Sequence, residues 1–355
     1  MGDLRLNISS SPHFFANRST QKIMLCVLIS LLPECIAGLV FFGFRALLTI
    51  LISVIGAVAF EALFQLVTKQ KILIKNLSAA VSGVLIALVL PPTVPFWMLL
   101  LADFVAMVVA KGLFGGIGSN TFNPALTGRA VLFISFPAAI GASWIDPIAR
   151  KAGMDAVTSA TLLSGIKNAS VTPANFDYLQ AFLGNRAGCI GETSILAILI
   201  SFVLLLVSGI IDWRAPLTMV GTVIVCTFCR ALALGSSFVL SCQEVLISLL
   251  TGGLLFGATF MVTDYATTPV TQPGRLIFGF GCGLITWLIR TFGGYPEGVM
   301  FSILIMNAFA PLLNNLIRRM YGYGKKGNQK AEAKKIVQNF DLKNSKEIKD
   351  SKEEK

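Results

Sequence analysis

The sequence predicts an all-α polytopic membrane protein, with about ten transmembrane helices arranged as two inverted five-helix repeats. Three observations predict it. Hydrophobic residues make up 55% of the 355 positions and charged residues only 13%, with a mean hydropathy of +0.76, more apolar than a soluble surface tolerates. Apolar runs recur at close to the length that crosses a hydrocarbon core, roughly 18–20 residues. They also fall into two series of five, so an odd number of crossings inverts the second series relative to the first.

The first series occupies 23–43, 46–67, 77–93, 96–112 and 124–142, and the second 191–211, 215–235, 244–262, 274–291 and 298–317. No strand pattern competes. Arg5, Arg18 and Lys22 precede the first run, but no small-residue cleavage site follows it and Pro33 and Glu34 interrupt it, so it is expected to remain in the mature protein. Five segments result: a cytoplasmic N-terminal stretch (1–22), the first repeat (23–142), an outer loop (143–190), the second repeat (191–317) and a basic, disordered cytoplasmic tail (318–355). Phe114-Gly115-Gly116 after the fourth run is echoed by Phe292-Gly293-Gly294 after the ninth, a short match consistent with the repeat.

Lys and Arg in short loops hold those loops in the cytoplasm. Lys69, Lys71, Lys75, Lys111, Arg214, Arg275, Arg318 and Arg319 all fall on the N-terminal side, which places both termini inside and the 143–190 loop outside. The formal net charge of +11 resides largely in these loops and in the tail, where acidic residues are interspersed, so a nucleic-acid partner is not expected. The tail has too little apolar surface to fold alone.

The seven cysteines, Cys26, Cys35, Cys189, Cys226, Cys229, Cys242 and Cys282, lie mostly inside the apolar runs and form no disulfide framework. Cys226 and Cys229 have C-x-x-C spacing but no second pair to complete a metal site. His13 is the only histidine, which excludes haem held by paired histidines. There is no dinucleotide fingerprint and no cluster-binding cysteine array.

Polar residues within so apolar a chain mark candidate sites. Glu34, Glu61 and Asp103 lie inside apolar runs; burying a carboxylate in lipid is costly, so they are expected to face the bundle interior, as candidates for an ion path or as packing contacts. Carboxylate oxygens suit Na+ and H+ alike. The loops 115–129 and 261–275 carry more glycine, proline and polar side chains than plain turns need. Such backbone at membrane depth must be buried in protein or line a cavity. They are therefore read either as ligand-facing, with Asn120, Asn123, Asp264 and Thr268 as donors and acceptors, or as ordinary caps and turns. Residues 155–161 read D-x-x-T-S-A-T on a polar outer loop. Its hydroxyls mark either a tethered-cofactor site, which needs an activating enzyme because threonine is a poor nucleophile, or the start of a short helix.

Asp155-Ala156-Val157-Thr158-Ser159-Ala160-Thr161 resembles the flavin-transferase target of a membrane-protein family, shared by Rnf electron transport complexes (as their D subunit) and sodium-translocating NADH:quinone oxidoreductases (as their B subunit). Ser11-Pro12-His13, Asn123-Pro124-Ala125 with Gly128-Arg129, Gly188-Cys189-Ile190-Gly191-Glu192, Phe256-Gly257-Ala258 with Thr263-Asp264, and Phe292-Gly293-Gly294-Tyr295-Pro296-Glu297-Gly298 match as well. The short N-terminus favours the Rnf branch. The resemblance implies FMN joined by a phosphodiester to Thr161, with Asp155 and Thr158 recognised by a flavin transferase. It also implies a noncovalent riboflavin, held by some relatives, near the 115–129 and 261–275 loops. The activity implied is electron transfer between ferredoxin and NAD coupled to Na+ or H+ transport across the bacterial inner membrane. Partners implied are iron-sulfur and flavin subunits, including a second carrying covalent FMN. From the residues alone, a secondary transporter or channel for a small solute, with no covalent cofactor, is the alternative.

Overall fold

The computed structural model describes residues 19–141, 144–145, 147, 158–159, 176–294 and 297–316. Every apolar run contains helix. The first is α1 (Thr20–Ser30) and α2 (Leu32–Phe42), which meet at Leu31 where Pro33 enters the first turn of α2. After Gly43, whose φ of 68° turns the chain back, α3 (Phe44–Val67) returns across the bundle. Then come α4 (Ser78–Leu88), α5 (Phe96–Phe104), which continues as a π-helical segment (Val105–Gly112), α6 (Pro124–Ser135) and α7 (Pro137–Gly141). The 143–190 loop contributes α8 (Tyr178–Leu183). The second half comprises α9 (Ile195–Val207), α10 (Arg214–Ala233), α11 (Phe238–Leu250), α12 (Leu254–Phe256) running into a π segment (Gly257–Met261), α13 (Gln272–Phe292) and α14 (Val299–Leu316).

Not every run is a full-length helix. Four helical stretches among the described residues are long and apolar enough to cross a membrane, Thr20–Phe42, Phe44–Val67, Arg214–Ala233 and Gln272–Phe292. A fifth is obtained if α11 and the helix after it, bent by 64°, are one broken span. The α4 helix has 11 residues, about 17 Å at 1.5 Å per residue against a core of about 30 Å. Its run ends in Pro91-Pro92, which offers no amides for a helix. The chain instead continues as buried irregular backbone, and the Leu88 and Leu90 carbonyls accept from the amides of Gly191 (2.8 Å) and Ile190 (3.3 Å) just ahead of α9. Two interrupted spans thus meet end to end, and protein rather than lipid satisfies their peptide groups.

Glycine sets how closely the helices approach. A Cβ at Gly83 would lie 2.8 Å from the Ser53 carbonyl oxygen, and one at Gly128 would lie 2.6 Å from that of Ala102, so α4 packs directly on α3 and α6 on α5. The core is continuous across both halves, through Leu31, Phe42, Ile86, Leu88, Leu99 and Phe278.

Two expectations change. A two-residue antiparallel ladder, β1 (Trp144–Ile145) with β2 (Thr158–Ser159), forms in the 143–190 loop, too short for any alternating pattern to announce it. The two F-G-G turns also differ: Gly115 and Gly116 have φ of 102° and 90°, whereas Gly293 is extended at φ −72° and ψ 162°. The resemblance between halves lies elsewhere. Each π segment is followed by a loop and then by a helix whose first turn holds a proline and whose N-cap side chain accepts a backbone amide, Asn123 for α6 and Thr271 for α13.

Candidate functional site

The loop after the second π segment and the turn ahead of α10 line a cavity of about 410 Å3, through Asp264, Tyr265, Thr268 and Asp212 with Arg275 and Asn314, and the loop after the first π segment meets it at Gly118. A smaller cavity of about 70 Å3 adjoins it, shares Gly118, Asp264 and Tyr265, and reaches inward to Ser78, Lys111 and Asn123. Burial pushes the Asp264 carboxyl above the ordinary carboxylate range, against the pull of the Thr267 hydroxyl at 3.0 Å and the amides of Ala266 and Tyr265. Tyr265 is exposed at the rim. Asn123 lines the smaller cavity, but its side-chain oxygen is occupied in capping α6, accepting from Ala125 (3.0 Å) and Leu126 (3.3 Å). It is a cap first. Asn120 donates to the Phe122 carbonyl, and Thr268 to that of Val262.

At the floor of the smaller cavity, Lys111 Nζ lies 2.7 Å from Glu61 Oε1 and donates to Ser78 Oγ at 2.6 Å. Both charges are buried. Asp103 on α5 accepts from Ser53 at 2.8 Å, and Ser53 lies eight residues before Glu61 on α3, about 12 Å along the axis. Glu34 on α2 accepts from Ser201 on α9 at 2.8 Å. All three expected carboxylates therefore face the interior. Among the described residues only Glu61 of the three has a cation; Glu34 Oε1 and Asp103 Oδ2 have no hydrogen-bond partner there.

The densest charged cluster lies between the halves. Arg129 on α6 reaches Glu192 Oε1 at 3.1 Å and Glu297 Oε2 at 2.8 Å, and it donates to Cys189 Sγ at 3.5 Å. Glu297 also accepts from the Gly253 amide at 3.2 Å, in the break between α11 and α12. A Cβ on Gly253 would lie 2.5 Å from Glu192 and 2.6 Å from Glu297, so a side chain there would have to displace both carboxylates. Arg186 donates to the Thr193 and Glu192 carbonyls, and Arg290 to those of Ser248 and Thr251. Sequence reading misses this cluster although Arg129, Glu192 and Glu297 each stand in a quoted motif. Their separations of 63 and 168 residues conceal the pairing.

Asp155 and Thr161 lie outside the described residues, as does the Thr158 side chain. The Thr158 and Ser159 backbone pairs with Ile145 and Trp144, and Trp144, itself buried, donates through Nε1 to the Gly141 carbonyl at 2.9 Å. No group of three or more His, Cys, Asp or Glu side chains poised for a metal occurs among the described residues.

Fold and site define a polytopic helical membrane protein with interrupted spans, a polar inner cleft and an ion-paired core between its halves. The profile of the NQR2, RnfD, RnfE family matches residues 7–322. The chain is 42% identical over 329 residues to the D subunit of the Na(+)-translocating ferredoxin:NAD(+) oxidoreductase complex of Acetobacterium woodii, covering 92% of this chain and 98% of that one. It is 40% identical over 314 residues to the D subunit of the proton-translocating ferredoxin:NAD(+) oxidoreductase complex of Clostridium ljungdahlii, covering 86% and 93%. With the D subunit of the ion-translocating oxidoreductase complex of Citrobacter koseri it shares 36% over 350 residues, 89% and 99% of the two chains. The chain belongs to the NQR2, RnfD, RnfE family.

Proposed function

We propose that this chain is the flavin-carrying D subunit of an ion-translocating ferredoxin:NAD+ oxidoreductase of the Rnf type, embedded in the bacterial inner membrane with both termini in the cytoplasm. The observation that carries the reading is coverage: the D subunits of three ion-translocating oxidoreductase complexes, two of them ferredoxin:NAD(+) oxidoreductases, align over 93–99% of their length. The parallel order of π segment, loop, proline-started and side-chain-capped helix in both halves supports ten membrane segments in two inverted repeats.

FMN is assigned to Thr161, with Asp155 and Thr158 as the flavin transferase's recognition residues. The ladder that ties Thr158 and Ser159 to Trp144 and Ile145 supports this placement, because it fastens the target segment to the end of α7 two residues before the attachment hydroxyl. A flavin there supplies one- and two-electron redox chemistry. Trp144 and the ladder hold the segment against the membrane domain, and the chain relies on iron-sulfur and flavin partner subunits, including a second with covalent FMN, to deliver and remove electrons. The inner cleft is proposed for a noncovalent riboflavin: about 410 Å3 lies within the roughly 300–1,000 Å3 of small-molecule sites. Tyr265 there offers a stacking face, and Asp264, Thr268 and Arg275 a polar edge. The buried carboxylates Glu34, Glu61 and Asp103 are assigned to ion movement.

The test is covalent. Chain matured with its flavin transferase is expected to give a band that fluoresces under ultraviolet light after denaturing electrophoresis, and Thr161→Val to abolish it. An unmodified Thr161 peptide by intact-mass analysis of the native complex would overturn the reading.

A further inference from the structure

Asp103 lies where α3, α4 and α5 cross, and its hydrogen-bond geometry constrains its protons. Ser53 Oγ on α3 is 2.8 Å from Asp103 Oδ1 and equally 2.8 Å from the Gly83 carbonyl oxygen on α4. A serine hydroxyl carries one proton, whereas a carbonyl oxygen and an ionised carboxylate only accept. With Asp103 ionised, one of the two contacts would press two acceptors together with no hydrogen between them. With Asp103 protonated on Oδ1, both contacts run in one direction: the acid donates to Ser53, and Ser53 donates to the Gly83 carbonyl. The partnerless Oδ2 is then the oxygen of a neutral acid, whose burial costs far less than that of an anion.

The described surroundings supply no charge to hold an anion. The segments packed on α5 are α3, α4, α6 and the π segment that continues it. On α3, Arg45 donates to the Thr93 carbonyl at 3.0 Å, and Glu61 is paired with Lys111 of the π segment at 2.7 Å. On α6, Arg129 is held between Glu192 and Glu297. The α4 helix, SAAVSGVLIAL, has no titratable side chain. A metal cation fits no better, because Ser53 Oγ is already at hydrogen-bond distance from both oxygens and hard cations gather a full shell of oxygen ligands. Two glycines shape the place. A Cβ at Gly56 would lie 2.9 Å from Asp103 Oδ2, and Gly83 lets α4 approach α3 closely enough for its carbonyl to reach Ser53.

We propose that Asp103 is an internal proton-binding site, with Ser53 accepting from it, and that the ion held there is H+ rather than a metal cation. Loss of the proton would leave a carboxylate that claims the Ser53 hydroxyl, so Ser53 would release the Gly83 carbonyl. Proton exchange at Asp103 thus makes and breaks a hydrogen bond between α3 and α4. The site's place on an ion path rests on the function proposed above; its protonation does not.

Infrared spectroscopy of the complex in lipid nanodiscs tests this. A carboxylic acid C=O band that moves down in D2O is expected, and Asp103→Asn, isosteric with the neutral acid, should remove it. Ser53→Ala should keep the band and raise its frequency, because the acid loses its acceptor. The proposal is overturned if Asp103→Asn leaves the carboxylic acid region unchanged or removes carboxylate stretches instead. Should that variant fail to assemble, an unmoved band in Ser53→Ala overturns it equally. In-gel flavin fluorescence on the same samples separates the two readings: a retained Asp103 band without fluorescence sinks the flavin assignment alone, and fluorescence without the band sinks the proton site alone.

Discussion

Truncating Arg129 to Met removes the cation from two carboxylates buried against each other. Glu192, with 8% side-chain exposure, has no access to water that would relieve it, whereas Glu297, at 21%, retains the Gly253 amide and some solvent. Breaking a buried pair by removing one partner costs about 3–5 kcal/mol, mostly because the remaining charge is left uncompensated. Arg129→Met is therefore expected to lower the thermal unfolding temperature of the purified protein sharply, and Glu297→Gln, which keeps an acceptor for Arg129, much less. Equal shifts in a thermal-shift assay would mean that the cluster acts as packing volume and not as paired charge. Gly253 leaves room for this pairing: the carboxylates occupy the space a side chain would take.

At the scale of elements, Asp212 joins two that are distant in sequence. Its Oδ2 lies 2.8 Å from Arg214 at the start of α10 and 2.8 Å from Arg275 in the first turn of α13. Partial burial pushes the carboxyl up, yet the Arg214 amide and the two guanidinium groups outweigh it and hold Asp212 below the ordinary carboxylate range. A depressed folded value means that the contribution is fully present above the unfolded value of about 3.9 and is lost as pH falls through the folded one. The clamp should hold at neutral pH and open below about pH 4. Trp213, stacked on Arg214 at 5.2 Å, reports on it. Its fluorescence, isolated by comparison with Trp213→Phe, should change in that acid window, and Asp212→Asn should show the open signal already at pH 7. A signal that Asp212→Asn leaves unaltered would refute the clamp. The elements themselves are largely legible in the sequence, since each apolar run contains helix, but their lengths are not. Hydropathy measures burial, and residues 89–92 are as buried in irregular backbone as they would be in a helix. Pro91-Pro92 is the available sign. The glycine, proline and polar content of the loops 115–129 and 261–275 marks them as cavity-lining, and Asp264 and Thr268 do line the cleft. Asn123 reads as a ligand group because a cap and a ligand donor look alike in sequence. The Arg129 cluster stays hidden because nothing local links positions that only the tertiary fold brings together.

For the whole molecule, the charge asymmetry and the polar sites give one orientation. Lys69, Lys71 and Lys75 sit on the turn between α3 and α4, and Arg214 and Arg275 at the starts of α10 and α13, where Arg275 lines the cleft beside the 262–271 loop. Lys111 enters the same end from the π segment. The opposite end carries the β ladder and α8, and of the described turns there, the one between α10 and α11, Leu234 to Ser237, has no charged residue. Short basic loops resist translocation, so the cleft should open to the cytoplasm and the ladder to the outer face. Reporter fusions decide it. Green fluorescent protein joined after Gln70 should fluoresce, and alkaline phosphatase joined after Ser236 should be active. An active phosphatase at Gln70 would invert the molecule, put the cleft outside, and leave the FMN target segment facing the cytoplasm, away from any transferase acting at the outer surface.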